Sequence, residues 1–321
     1  MASAAFPSSP SPSRLGTGTV GWMLMITAMA IAVYSAGLLP ETGQAIAVLS
    51  ATLMVVGMPH GSFDIALLQN GSADDPAAPR RSTLIGLYLV CALAMYLLWQ
   101  AAPAWGLGIF LLMAAVHFSE DWQRCGSRFI ATGMALAFLS APSLLHSASL
   151  ASLFAVLSND AAARLLVDVM VLIAPTMLML AIAGAGMLWH AGERNRALSA
   201  VCGLAAMLVL PPVHGFALFF CLVHSPIQFG DHSRALGLHG LRQWGGTVIP
   251  LTLGGLGIAV AIFALNRGAV ITQDVFAASF VALSVLTAPH MLVPVILRLM
   301  VRPGLKRGVR LRPRPGSSGD A

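Results

Sequence analysis

Ten apolar runs, parted by short connections, leave this chain almost no sequence from which to build a soluble domain. They fall at 20–39, 44–69, 83–101, 105–120, 129–146, 164–189, 198–211, 214–230, 247–265 and 276–299. A helix needs about 20 predominantly apolar residues to cross a bilayer, and most of these runs approach or exceed that length. Only 9% of the 321 residues are charged and 57% are hydrophobic, whereas ordinary soluble domains carry about 25% charged residues. The expected fold is therefore all-α: a polytopic integral membrane helical bundle of about 8–10 transmembrane segments. Residues 1–18, rich in Ser and Pro, read as a disordered tail. Residues 19–300 read as one transmembrane domain and 301–321 as a basic disordered tail. The run 20–39 exceeds the 7–15-residue core of a signal peptide and is read as a retained first helix. The stretch 147–162 is expected to be a connection with a short interfacial helix.

Pro211-Pro212 divides the apolar stretch 198–230 in two, because a double proline removes two backbone donors and disfavours continuing a helix. The division also settles orientation. Arg80, Arg81, Arg124, Arg128, Arg194, Arg196, Arg234 and Arg242 are all read as loop residues. With ten segments and a cytoplasmic N-terminus, every one of those loops and the basic C-terminal tail fall on the cytoplasmic side, as the positive-inside rule requires. The expected location is the bacterial inner membrane, crossed many times, with both termini cytoplasmic. The net charge of +6 has no basic stripe interleaved with aromatics behind it, so nucleic-acid binding is excluded. Cys91, Cys202 and Cys221 sit in apolar runs and Cys125 in a connection, with no zinc-type spacing and no disulfide framework.

Against this background, the histidines stand out. His60, His117 and His224 lie inside apolar runs, and each is followed four residues later by Asp64, Asp121 or Gln228, one helical turn away. Polar groups in hydrocarbon are costly unless paired or coordinated. The topology puts all three, together with His290, in segments running the same way and at similar depth. Imidazole in its neutral form binds iron, copper, zinc or nickel, and a ligating His commonly hands its second nitrogen to a carboxylate. Asp64 and Asp121 can play that part, either across helices or through the turn each shares with its own histidine. His146, His190, His214 and His239 read as interfacial or supporting residues, and His232 as a weak ligand candidate at the membrane edge.

At these residues the chain resembles the Brp/Blh family of bacterial and archaeal membrane enzymes that cleave β-carotene to retinal. The resemblance rests on GMPHGSFDIAL at 57–67, HFSEDW at 117–122, SAPSLLH at 140–146, PPVHGFALFFCLVHS at 211–225 and TAPHMLVP at 287–294, in family order. It implies an Fe(II)-dependent dioxygenase that splits the central double bond of a carotenoid taken from the lipid phase, using O2. It further implies that His60, His117 and His224 are iron ligands, that Asp64 is the acid of the PHG-x-x-D motif, and that His290 lies near iron or substrate. Where the family reads HSxxH, this chain has Gln228, so Gln228 or His290 is the expected fourth ligand. The glutamine raises a second expectation: a homologue that holds a carotenoid or retinal for a microbial rhodopsin without cleaving it. A third reading, a transporter with a His/Asp relay, calls for internal repeats, and the sequence has none.

Overall fold

A computed structural model of the chain describes residues 17–70, 80–238, 245–246, 248–265 and 271–300. It describes the side chains of all of these except 17–18, 57–61, 70, 271–272 and 298–300. The expected terminal tails, apart from residues 17–18, and the sites of Arg242 and His239 lie outside the described residues.

Every regular element among the described residues is helical. The order is α1 (Thr17–Ser35), α2 (Gly43–Gly61), α3 (Asp64–Asn70), α4 (Arg81–Ala101), α5 (Pro103–Ser119) and a 3-10 turn (Glu120–Cys125). There follow α6 (Arg128–Ser140), α7 (Pro142–Leu157), α8 (Asp160–His190), α9 (Arg194–Val209) and α10 (Pro212–Leu218). A π-helical stretch (Phe219–His224), α11 (Ser225–Ala235), α12 (Ile249–Leu265) and α13 (Ile271–Met300) complete the chain. Each of the ten apolar runs thus contains helix, and the run 44–69 holds two, α2 and α3. Among the described residues, five helical stretches are long and apolar enough to cross a membrane by themselves, and α6 with α7 makes a sixth, bent by 52°. Large apolar side chains cover the outside: Leu172 is 78% exposed, Leu112 67% and Val260 66%. A surface of that kind belongs in lipid, because in water so much contiguous apolar area would drive association.

Proline decides where the helices stop. Leu210 and Pro211 are extended (ψ 155° and 146°), and Pro212 opens α10 at its first turn, so the double proline ends α9 as expected. Pro142 acts in the same way at the start of α7, and this overturns two expectations. The run 129–146 is not one straight segment, and 147–157 is not a connection but most of α7. Its Ser-rich composition hides a buried stripe at Leu150, Phe154 and Leu157, spaced four and three residues apart on one helical face.

Close packing at the centre depends on small residues. On α6, a Cβ added to Gly133 would lie 2.5 Å from Leu180, and one on Gly184 of α8 would lie 2.3 Å from the Met134 sulfur. Helices in lipid associate through this kind of close approach. The core is aromatic, with Trp122 stacked on Phe138 (centroids 5.2 Å apart) and Phe138 stacked on Phe219 (4.4 Å).

Several residues assigned to loops lie on helices instead: Arg81, Arg128 and Arg194 open α4, α6 and α9, and Arg234 is in α11. Arg196 is 3% exposed inside α9, where it bonds the Asp121 carbonyl (2.6 Å) and the Asp231 carboxylate (3.1 Å). A guanidinium this buried needs such partners. Cys125 is buried at the end of the 3-10 turn, with its thiol 3.3 Å from the Ser127 carbonyl.

Candidate metal centre

His117 is in the last turn of α5, His224 ends the π-helical stretch, and His290 lies in the second half of α13. The bundle brings the three rings together edge to face, with centroids 4.7 Å apart for His117 and His224 and 4.6 Å for His117 and His290. Phe118 packs edge-on to His224 at 4.7 Å and Phe220 stacks on it at 5.2 Å, so the polar cluster is walled by aromatic rings.

Local helix geometry aims these side chains. Pro226 has no N–H to offer the Leu222 carbonyl, and its ring would clash there in a regular helix. The preceding turn widens instead: the Ser225 N–H reaches back five residues to Phe220, which sets the orientation of His224. At the end of α5 the opposite happens. The helix tightens to 3-10 at Glu120, and the tighter winding swings Asp121 away from His117.

The carboxylates consequently serve histidines from other helices. Asp121 is fully buried and accepts from His224 Nδ1 at 2.8 Å. Asp64 accepts from His290 Nδ1 at 2.6 Å and from the Tyr88 hydroxyl as well. Of the two arrangements open to the sequence, it is therefore the one across helices that forms at the described side chains. An Nδ1–H held by a carboxylate fixes the tautomer that keeps the Nε2 lone pair for coordination. His117 has Glu120 beside it, with Nδ1 and Oε2 3.6 Å apart. Potential ligand atoms of His117, Glu120 and His290 all lie within 4.8 Å of one another. Imidazoles in this tautomer beside a carboxylate are a donor set suited to iron and its neighbours in the transition series.

Gln228 is placed behind the rings. Its Nε2 donates to Asp121 Oδ1 at 2.7 Å, so it steadies the carboxylate that holds His224. His232 lies near the cluster, with its ring 6.4 Å from His290 and 5.9 Å from Phe63. His60 is in the last turn of α2, with its side chain outside the described residues; the chain runs on from it into Asp64. Glu120 and Tyr88 escaped the sequence reading. Glu120 carried a signal, an acid three residues after His117, whereas Tyr88 is a lone hydroxyl in an apolar helix whose partner is 24 residues away.

A cavity of about 410 Å³ opens onto the cluster. Tyr88, Asp64 and His290 line its polar side, and Ile85, Leu89 and Ile258 are among its apolar walls.

A profile of the family described as "Beta-carotene 15,15'-dioxygenase" matches residues 51–298. The chain belongs to that family. The matched range takes in every candidate residue above and leaves out α1. A relative from an uncultured marine bacterium (66A03), a beta-carotene 15,15'-dioxygenase, is 27% identical over 271 residues, which is 80% of this chain and 94% of the relative. No solved structure matches the chain. Membership makes the chain an oxidoreductase of the dioxygenase class.

Proposed function

We propose that the chain cleaves the central double bond of β-carotene, or of a related carotenoid, with O2 to give retinal at an Fe(II) centre. One observation carries the reading: three imidazoles converge at the polar end of an apolar cavity, and carboxylates on neighbouring elements hold two of them in the ligating tautomer. His117, His224 and His290 would hold the metal with Glu120, and His60 joins them on the strength of its place in the family motif. Iron, when bound, supplies the means of bringing O2 to a carbon–carbon double bond, which side chains alone do not provide.

The residues of the chain do the remaining work. The C=C bond breaks and each carbon gains one oxygen atom as an aldehyde, so no leaving group or net proton has to be handled. Asp121 and Asp64 orient His224 and His290, and Gln228 and Tyr88 in turn fix those carboxylates. Apolar walls admit a polyene from the lipid and keep water from the reacting carbons. Because Gln228 bonds Asp121, its presence leaves the three-ring cluster complete, and this favours cleavage over a binding-only role.

The product is the chromophore of microbial rhodopsins, which suggests a functional link to one. The arginines at the inner ends of the helices support an inner-membrane protein with cytoplasmic termini. The test is expression in a β-carotene-accumulating bacterium, with pigment extraction and metal analysis of the purified protein. Retinal should appear as β-carotene falls, with about one iron per chain. Unchanged β-carotene in cells containing folded protein would refute the proposal.

A further inference from the structure

Among the described residues Arg196 is the one buried arginine, and its fork spans two elements that meet beside the metal centre. Nη1 donates to the Asp121 carbonyl at 2.6 Å, and Nη2 donates to the Asp231 carboxylate at 3.1 Å. Asp121 is the residue whose carboxylate accepts from His224 and Gln228. It is thus held from two sides, the backbone by Arg196 and the side chain by Gln228.

Asp231 lies on the same helical path as His224 and Gln228. The three follow at steps of four and three residues, which stacks them on one face. The bonds therefore close a ring. It runs from the Asp121 carbonyl through Arg196 to Asp231, back along α11 to Gln228, and from there to the Asp121 carboxylate. Asp231 is itself fixed by Arg234 at 2.6 Å. It also stands 3.8 Å from Arg124, which shares the 3-10 turn with Asp121 and bonds Glu193 at 2.9 Å. The 3-10 turn, the start of α9 and α11 are tied together at this point.

A guanidinium at this depth is a poor device for stability alone. Its desolvation offsets much of what its partners return, and apolar side chains of similar volume often serve folding as well. What it supplies is direction, because a planar fork fixes two acceptors at once. Groups that support a metal site have to be held to within about 0.5 Å, and any shift of the Asp121 backbone carries its carboxylate with it.

We propose that Arg196 is a positioning residue of the metal centre: it clamps the Asp121 backbone to Asp231, so that the Asp121 carboxylate meets His224 Nδ1. The inference rests on the metal-centre reading and extends it to a residue that acts through Asp121.

Co(II) titration of the purified, metal-free, full-length protein, followed by visible absorption, tests it. Arg196→Met should weaken binding about three- to tenfold, less than the roughly 10- to 100-fold of a direct partner of a ligating His, and should shift the Co(II) bands. In the Asp121→Asn background the same change should cost less than about twofold more, because two residues that act on one path are not additive. A folded Arg196→Met protein with wild-type affinity and bands would overturn the proposal, and so would equal losses in the two backgrounds. Should Arg196→Met not fold, Asp231, whose side chain is one-third exposed, gives the second route. Asp231→Ala should weaken Co(II) binding about two- to fivefold, again below the range for a direct partner. Asp231→Asn keeps an acceptor for Arg196 and should restore most of it; wild-type binding by both variants would refute the clamp. Wild-type protein that binds Co(II) while these variants match it leaves the metal-centre reading standing, whereas wild-type protein that binds none brings down both.

Discussion

Replacing Asp121 with Asn removes a charge from the middle of the candidate metal centre while keeping the shape of the side chain. The two carboxylate oxygens accept from His224 Nδ1 at 2.8 Å and from Gln228 Nε2 at 2.7 Å. An amide has one oxygen and one NH2, so it cannot accept from both. If its oxygen stays on Gln228, its NH2 faces His224 Nδ1, which must then accept; the imidazole proton moves to Nε2, and the coordinating lone pair is lost. If the oxygen turns to His224, Gln228 must rotate its own amide, and the imidazole still loses the anion that raised its basicity. Either way, metal affinity should fall by about 10- to 100-fold, the usual cost of losing such a partner, or about 1.4–2.7 kcal/mol. Stability should change little, because every buried polar atom keeps a partner. Asp121→Ala differs, since it strands two buried donors at about 1–3 kcal/mol each. Titration of the purified, metal-free protein with Co(II), followed by its visible absorption, measures the affinity, and thermal unfolding in the same detergent measures the stability. An Asn variant that binds Co(II) within threefold of wild type would show that Asp121 does not set the His224 tautomer.

Tyr88→Phe removes one of the two donors to Asp64 and leaves His290 the other. Stability should fall by about 1 kcal/mol and Co(II) affinity by less than in the Asp121 variant, as read by the same two assays. Gly215→Ala tests the crossing of α9 and α10, where an added Cβ would come 2.7 Å from the Ala206 carbonyl oxygen and 3.1 Å from the Met207 Cα. Backbone atoms cannot step aside, so unfolding in detergent should move down by about 1–3 kcal/mol. Gly257→Ala, which meets nothing within 4 Å, should show no such loss.

The helical bundle was legible because apolar length is a strong signal and Pro211-Pro212 a clear stop. Helix α7 was not, since serines interrupt its composition while its buried stripe depends on which neighbours it meets. The convergence of His117, His224 and His290 followed from topology and depth. Which acid serves His224 did not follow, because it is set by two departures from ideal winding that no residue spacing announces. The four-residue intervals His117/Asp121 and His224/Gln228 suggested partners within one helix. The 3-10 turn and the π-helical stretch redirect both acid and ring, and Asp121 takes His224 and Gln228 together. Arg196 shows the same limit: an arginine next to a connection reads as a surface charge until the neighbouring helices bury it.

The π-helical stretch Phe219–His224 also divides its span into two reading frames. A π turn holds about one residue more than an α turn, so the residues before Phe219 and those after His224 count their faces from origins about one residue apart. His214 and His224 stand on one continuous rod, yet each is in phase with a different set of neighbours. Removing any one residue between them would re-phase the inner half of the rod by about 100° while leaving its outer half, with Pro212 and His214, in place. A change of a single residue there is thus a switch between two registers. Comparisons of sequence along this span have to allow for that offset before they ask which residue faces the metal.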